Sequence, residues 1–227
     1  RDPPLADRPG AVLGDGVSRE LIFLPFILLL SCAAGPVPTP PEAIKIDLHC
    51  VEDRAAFMAM SYWEFDQSPE GVRSVLDKPG CRHAGADLIR DYHAALRAKG
   101  EPVTHVFPEG EMVFSDNGEV TMLYWHEGQA RAMDGENKYA TELFRLSIEP
   151  AAKSYAGWNE YVRASIAFLE GDLDTLKAER EALSSKVGPG YGDLNLGVVD
   201  GLIACFGRSY KEAYGAPECN RRPGVAP

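Results

Sequence analysis

The side chains best placed to do chemistry in this chain are His126, Glu127 and Gln129. At 100° per residue His126 shares a stripe with Met122, Leu123 and Met133, and Gln129 follows one turn on, so polar groups point at an apolar surface that must satisfy them. In a cleft, His126 and Glu127 would form an acid/base pair or hold a small ligand. A histidine hydrogen-bonded within the core is the commoner outcome of such a placement. His83, Asp87 and Asp91 stand at i, i+4 and i+8, a spacing that can ligate a metal. They lie on a polar face beside Arg90, so a solvated, salt-bridged face is expected and no metal site is assigned. Asp172-x-Asp174 opens like a calcium loop, but Leu176 occupies the next ligand position and no glycine follows. HExxH, GxSxG and the phosphate-cradling P-loop pattern are all missing, so no catalytic residue and no cofactor is assigned, and enzymatic activity is left open.

The cysteines carry a different chemistry. An apolar run, Leu21 to Leu30, ends in Ser31-Cys32-Ala33-Ala34-Gly35. It is too short to cross a bilayer, which takes about 20 residues, and it matches a signal-peptide core. Leu29-Leu30-Ser31-Cys32 resembles the bacterial lipobox, which implies that Cys32 is lipidated and becomes the N-terminus. Cleavage without lipidation near Ala33 or Ala34, and a buried helix of the mature fold, are the alternatives. The acidic, Pro/Gly-rich stretch Arg1 to Glu20 does not suit a signal n-region, and synthesis starting at Val17 would remove most of it. On this reading residues 1–31 are a signal peptide with an over-extended start and 32–42 a lipid-anchored Pro-rich spacer. Residues 43–219 form the helical domain and 220–227 a disordered tail. The expected address is the bacterial cell envelope, most simply the outer membrane facing the periplasm. A periplasmic or secreted protein without an anchor is the other option. In an exported chain the remaining cysteines, Cys50, Cys81, Cys205 and Cys219, favour disulfides, and Cys50–Cys81 with Cys205–Cys219 is the simplest of three pairings.

Charge narrows the partners. Without residues 1–31 the chain keeps 20 basic and 30 acidic side chains, a balance of −10. That excess argues against nucleic acid, whose phosphates attract basic faces. A partner would present basic or neutral groups.

The elements that must position these residues are mostly helical. The spacing predicts helices over 53–67, 69–77, 83–99, 119–134, 138–149, 158–170, 173–183, 194–206 and 210–215. Gly100 and Gly171 act as stops, and Ser209-x-x-Glu212 forms a capping box. Asp116-Asn117-Gly118 is expected to cap the fourth of these helices. Gly188 to Gly192 is a linker, since it follows a helix and lacks the last glycine of a dinucleotide fingerprint. From Val103 to Ser115 the period changes around Pro108-Glu109-Gly110, which predicts a small β-hairpin or extended insertion. The fold class is therefore all-α, antiparallel helix pairs with that insertion near 103–115.

Tyr124 to Pro150 resembles a tetratricopeptide-type repeat, with Gly128 and Ala140 at the small positions and Tyr124 and Phe144 at the aromatic ones. Phe65-Asp66-Gln67, Trp125-His126-Glu127-Gly128-Gln129, Trp158-Asn159-Glu160-Tyr161-Val162 and Cys205-Phe206-Gly207 together resemble a group of uncharacterised bacterial proteins with tetratricopeptide-like helices. The resemblance implies stacked helix pairs and brings no activity with it. Its expected function is a non-catalytic, membrane-anchored module that binds a protein or peptide partner. Trp125, Trp158 and Tyr161 are candidates for a partner groove, although stripes at helical spacing are more often core. The rival is an envelope enzyme or small-ligand binder with a pocket around His126.

Overall fold

The computed structural model describes residues 50–151, 154–186 and 191–220, all within one compact unit, Ile44–Pro227. Cys32, the apolar run, the Pro-rich spacer, most of the Gly188–Gly192 linker and residues 221–227 lie outside the described residues. The described elements are mainly helices, with one two-stranded antiparallel sheet.

The first expected helix is two. α1 (Arg54–Ala59) stops at Met60, and α2 (Tyr62–Gln67) starts afresh behind Ser61. Ser61 accepts from the Glu64 amide while the Glu64 carboxylate accepts from the Ser61 amide, so a capping box interrupts a continuous apolar period. A turn through Pro69 leads into the short α3 (Arg73–Leu76). α4 (Arg82–Lys99) ends at Gly100, whose φ of 66° gives the left-handed C-cap expected of it.

β1 (Val103–Phe107) and β2 (Gly110–Ser115) then form the expected hairpin, with Phe107 opposite Gly110 across the turn. The turn after it does not cap the next helix. α5 (Thr121–Met133) has Val120 at its N-cap with no side-chain cap, and Asn117 instead accepts the Glu119 amide within the loop. Gly118 sits there at φ 81°, and a Cβ on it would come within 2.3 Å of the Leu96 carbonyl, so only glycine lets the hairpin close against α4.

α5 and α6 (Asn137–Leu146) are joined by a three-residue turn and pack along each other. α7 (Trp158–Glu170) and α8 (Leu173–Ser184) repeat the arrangement, with Gly171 ending one and Asp172 capping the other. α9 (Tyr191–Ala204) begins three residues earlier than the spacing predicts, and α10 (Tyr210–Gly215) starts at the Ser209–Glu212 capping box. Asn220, expected in a disordered tail, is held, because its amide donates to the carbonyls of Ala213, Tyr214 and Ala216.

Two apolar clusters meet at α5. Leu123 belongs to the one built from α2, α3, α4 and the hairpin, and Trp125 to the one built from α6, α7, α8, α9 and α10. Two residues apart on a helix is 200°, so the clusters take opposite faces of α5. Each also has a cross-link: Cys50–Cys81 ties the chain before α1 to the start of α4, and Cys205–Cys219 ties the end of α9 to the segment beyond α10. Both pairs are those expected. Disulfides of this kind fit an oxidising compartment. Among the described residues no helix is long and apolar enough to cross a membrane.

Candidate functional site

The three residues singled out around His126 leave α5 in three directions. His126 turns toward α2, where its Nδ1 lies 2.6 Å from Oδ1 of Asp66. Asp66 has no exposed side-chain surface, and its other oxygen accepts from the Gln67 amide and, at 3.4 Å, from the Tyr62 hydroxyl. Burial first, and then the Asp66 carboxylate, hold the Tyr62 hydroxyl well above the ordinary phenol range. The α2 capping box and the Phe65 ring, stacked 3.8 Å from Tyr92, set the position of Asp66. With Nδ1 donating to this carboxylate, a neutral His126 presents Nε2 as its acceptor, and the side chain is one-fifth exposed. Among the described residues nothing hydrogen-bonds to that Nε2. The arrangement orients a histidine as the acid–base–orienter logic of hydrolytic triads requires, and among the described residues no hydroxyl or thiol bonds to it.

Glu127 turns the other way. It is buried and paired with Arg131 at 3.3 Å, and Arg131 also donates to Asp87 on α4 and to Glu136 before α6. His83 closes the network through Glu136 at 2.8 Å, Arg90 bonds Asp87 at 2.8 Å, and the Arg131 guanidinium lies over the Tyr139 ring. Burial pushes the Glu127 carboxyl above its usual range, with Arg131 opposing. The solvated, salt-bridged face expected for His83, Asp87 and Asp91 holds in part: Asp87 is buried against Arg131, while His83, paired with Glu136, and Asp91, paired with Arg54 and Arg90, stay near the surface. Among the described residues no group of three or more His, Cys, Asp or Glu side chains is placed to hold a metal. Gln129 goes to a third place, beside the buried Tyr210 hydroxyl with Ser165. His126, Glu127 and Gln129 therefore do not converge on one pocket.

The groove candidates are core residues. Trp125, Trp158 and Tyr161 are 3%, 8% and 2% exposed, and their rings pack on one another and on Phe144. The aromatic spacing that suggested a partner groove is the spacing of an internal stripe. Asn159 is structural too: its side chain accepts from the Glu149 amide and donates to the Glu149 carbonyl, holding the α6–α7 connection.

No family model, curated protein or solved structure matches this chain.

What lies open instead is the hairpin. Its inner face packs on α2, with His105 and Phe107 each against Trp63 at 4.8 and 4.7 Å. Register pairs Thr104 with Val113 and Val106 with Glu111, and alternation puts all four on the outer face. Val106 is 71% exposed, Val113 54% and Met112 51%. From Gly100 to Glu119 there is no Lys or Arg and there are five carboxylates. Glu119 pairs with Arg97, while Glu101, Glu109, Glu111 and Asp116 are exposed and make no ion pair among the described residues. The sequence marks the hairpin by its change of period, but nothing in that pattern says which face would be left bare.

Proposed function

We propose that the chain is an exported, lipid-anchored, non-catalytic module that binds a protein or peptide partner at the cell envelope through the outer face of its hairpin. The observation that carries this reading is the pair of bare apolar side chains Val106 and Val113 on the outer face, with Met112 exposed on the other side of the same strand, set among four carboxylates without an ion pair among the described residues. Exposed apolar groups gathered with a polar rim mark interaction surfaces, whereas isolated ones need no explanation. The body supports a tetratricopeptide-like scaffold, and with it membership of the uncharacterised bacterial group its motifs resemble. α5–α6 and α7–α8 are successive helix pairs, and a Cβ on Gly128 would meet Phe144 at 2.7 Å and the Ala140 carbonyl at 3.3 Å. Those are the residues the repeat pattern puts at its contact positions. The anchor rests on the lipobox at Cys32, and metabolic labelling with palmitate tests it. Label that survives Cys32→Ala would remove the anchor.

The test of function compares what the native protein and a Val106→Glu/Val113→Glu variant retain from envelope extracts. A specific partner lost by the variant, with intrinsic Trp fluorescence unchanged, supports the reading. Partners retained equally by both would place binding elsewhere.

The Asp66–His126 pair favours a second reading, a small-ligand or acid/base site at Nε2. Titration with acetate, phosphate and methylammonium, followed by the His126 ring signals, tests it. Shifts confined to His126 and lost in Asp66→Asn would support a site there.

A further inference from the structure

We infer that the unpaired edge of β2 accepts an extended segment as a third strand, and that this segment carries Lys or Arg beside aliphatic residues. The inference deepens the binding reading and rests on it. The sheet has only two strands, so among the described residues β2 is bonded on one side, to β1. β1 packs on α2 and Phe114 of β2 packs on Tyr62, while four consecutive residues of β2, Gly110 to Val113, are exposed. An exposed edge offers main-chain donors and acceptors to any passing strand, and proteins usually blunt it with lysine, proline or a covering loop. Here the edge carries no Lys or Pro. Its one charge is Glu111, and a carboxylate selects rather than excludes when the incoming strand is basic.

Charge decides among occupants. A second copy would set Glu109, Glu111 and Asp116 against their own duplicates, and an anionic lipid or nucleic-acid surface would be repelled in the same way. A basic, aliphatic strand is the chemistry left. Side chains of adjacent strands lie about 5 Å apart, so each residue of the guest is set by its neighbour in β2. Antiparallel addition would place two aliphatic residues beside Val113 and Met112, followed by a Lys or Arg beside Glu111. Further cations at the two ends would meet Asp116 and Glu109. Main-chain bonds supply affinity in this mode, and the alternate side chains supply selection.

The test uses the full chain and a capped eight-residue peptide, Lys-Thr-Thr-Val-Ile-Lys-Thr-Lys, with two control peptides. One replaces every Lys by Glu, and the other replaces Ile by Pro to delete a main-chain donor without changing charge. Calorimetric titration is paired with amide exchange of the chain. The expected result is saturable binding of the basic peptide, with slowed exchange confined to β2. Either control peptide, or Val113→Glu or Glu111→Lys in the chain, should weaken binding by about tenfold or more, since 1.4 kcal/mol corresponds to a factor of ten. Both substitutions are at exposed positions and should leave the fold in place, which unchanged intrinsic Trp fluorescence checks. Absence of binding, equal binding of the proline peptide, or protection outside the hairpin would each overturn strand addition. The broader binding reading fails separately, if the outer face of the hairpin makes no contact with any protein in cells.

Discussion

His93 should make this protein acid-sensitive by an amount that can be worked from its surroundings. It is 2% exposed on the inner side of α4, and its Nε2 accepts the Val120 amide at 3.0 Å. Val120 is the N-cap residue of α5, which has no side-chain cap of its own, so the imidazole of one helix holds the start of the next. Only the neutral ring can accept that bond. Burial, and then the Arg97 charge, lower the His93 pKa from 6.5 to about 4, with Glu119 pulling weakly the other way. The unfolded chain therefore takes up a proton near pH 6.5 that the folded chain refuses until about pH 4. Stability from this group is complete above 6.5, falls across that window and is flat below it. At 1.36 kcal/mol per unit the loss is about 3 kcal/mol. Carboxylates titrate near the bottom of the same window, so the measurement is a difference. Urea unfolding of the native protein and of His93→Gln, which can still accept the Val120 amide but does not titrate, is compared at pH 7 and pH 4. The native protein should lose about 3 kcal/mol more than the variant. Parallel losses in the two proteins would refute the assignment, as would a His93 ring signal that titrates near 6.5.

Other consequences follow from the packing. Gly128→Ala should destabilise by about 1–3 kcal/mol in urea unfolding, because the added methyl enters the space of the Phe144 ring. Arg131→Met should cost about 3–5 kcal/mol, since it leaves Glu127 buried without its cation and Asp87 with Arg90 alone. Adding Glu127→Gln should recover part of that loss, and a double-mutant cycle reads the recovery. Cys205→Ser with Cys219→Ser, which opens a link spanning 14 residues, should cost about 3 kcal/mol and lower the thermal midpoint.

The sequence was most legible where a signal is local. Gly100 and Gly171 stop helices by their own backbone freedom, Ser209 and Glu212 start one by their own side chains, and Pro108 and Gly110 mark a turn. Short separations also made the two cysteine pairings the simple choice. Where local signals compete, the outcome was not readable: the Ser61–Glu64 capping box overrides an apolar period that runs on through Met60 and Trp63. The candidate site depended on contacts between distant segments. Asp66 and His126 are 60 residues apart and meet only because α2 and α5 pack on the same cluster. Asp87 looked solvated because its partner, Arg131, lies 44 residues further on. His93 drew no attention, as a lone histidine on an apolar face gives no hint that its bond is to the backbone of another helix. The aromatic stripe of Trp125, Trp158 and Tyr161 was visible, but a stripe alone does not tell core from groove.

The hairpin account is tested most directly inside the cell envelope. A photo-crosslinking side chain placed at Val106, on the exposed outer face, and at Glu142, on the exposed surface of α6, samples two sites on the folded protein. Irradiation of intact cells should yield a discrete protein adduct from position 106, absent from 142 and lost when Val113→Glu is added. No adduct at 106, or the same adducts from both positions, would contradict the claim that this face is where the partner binds.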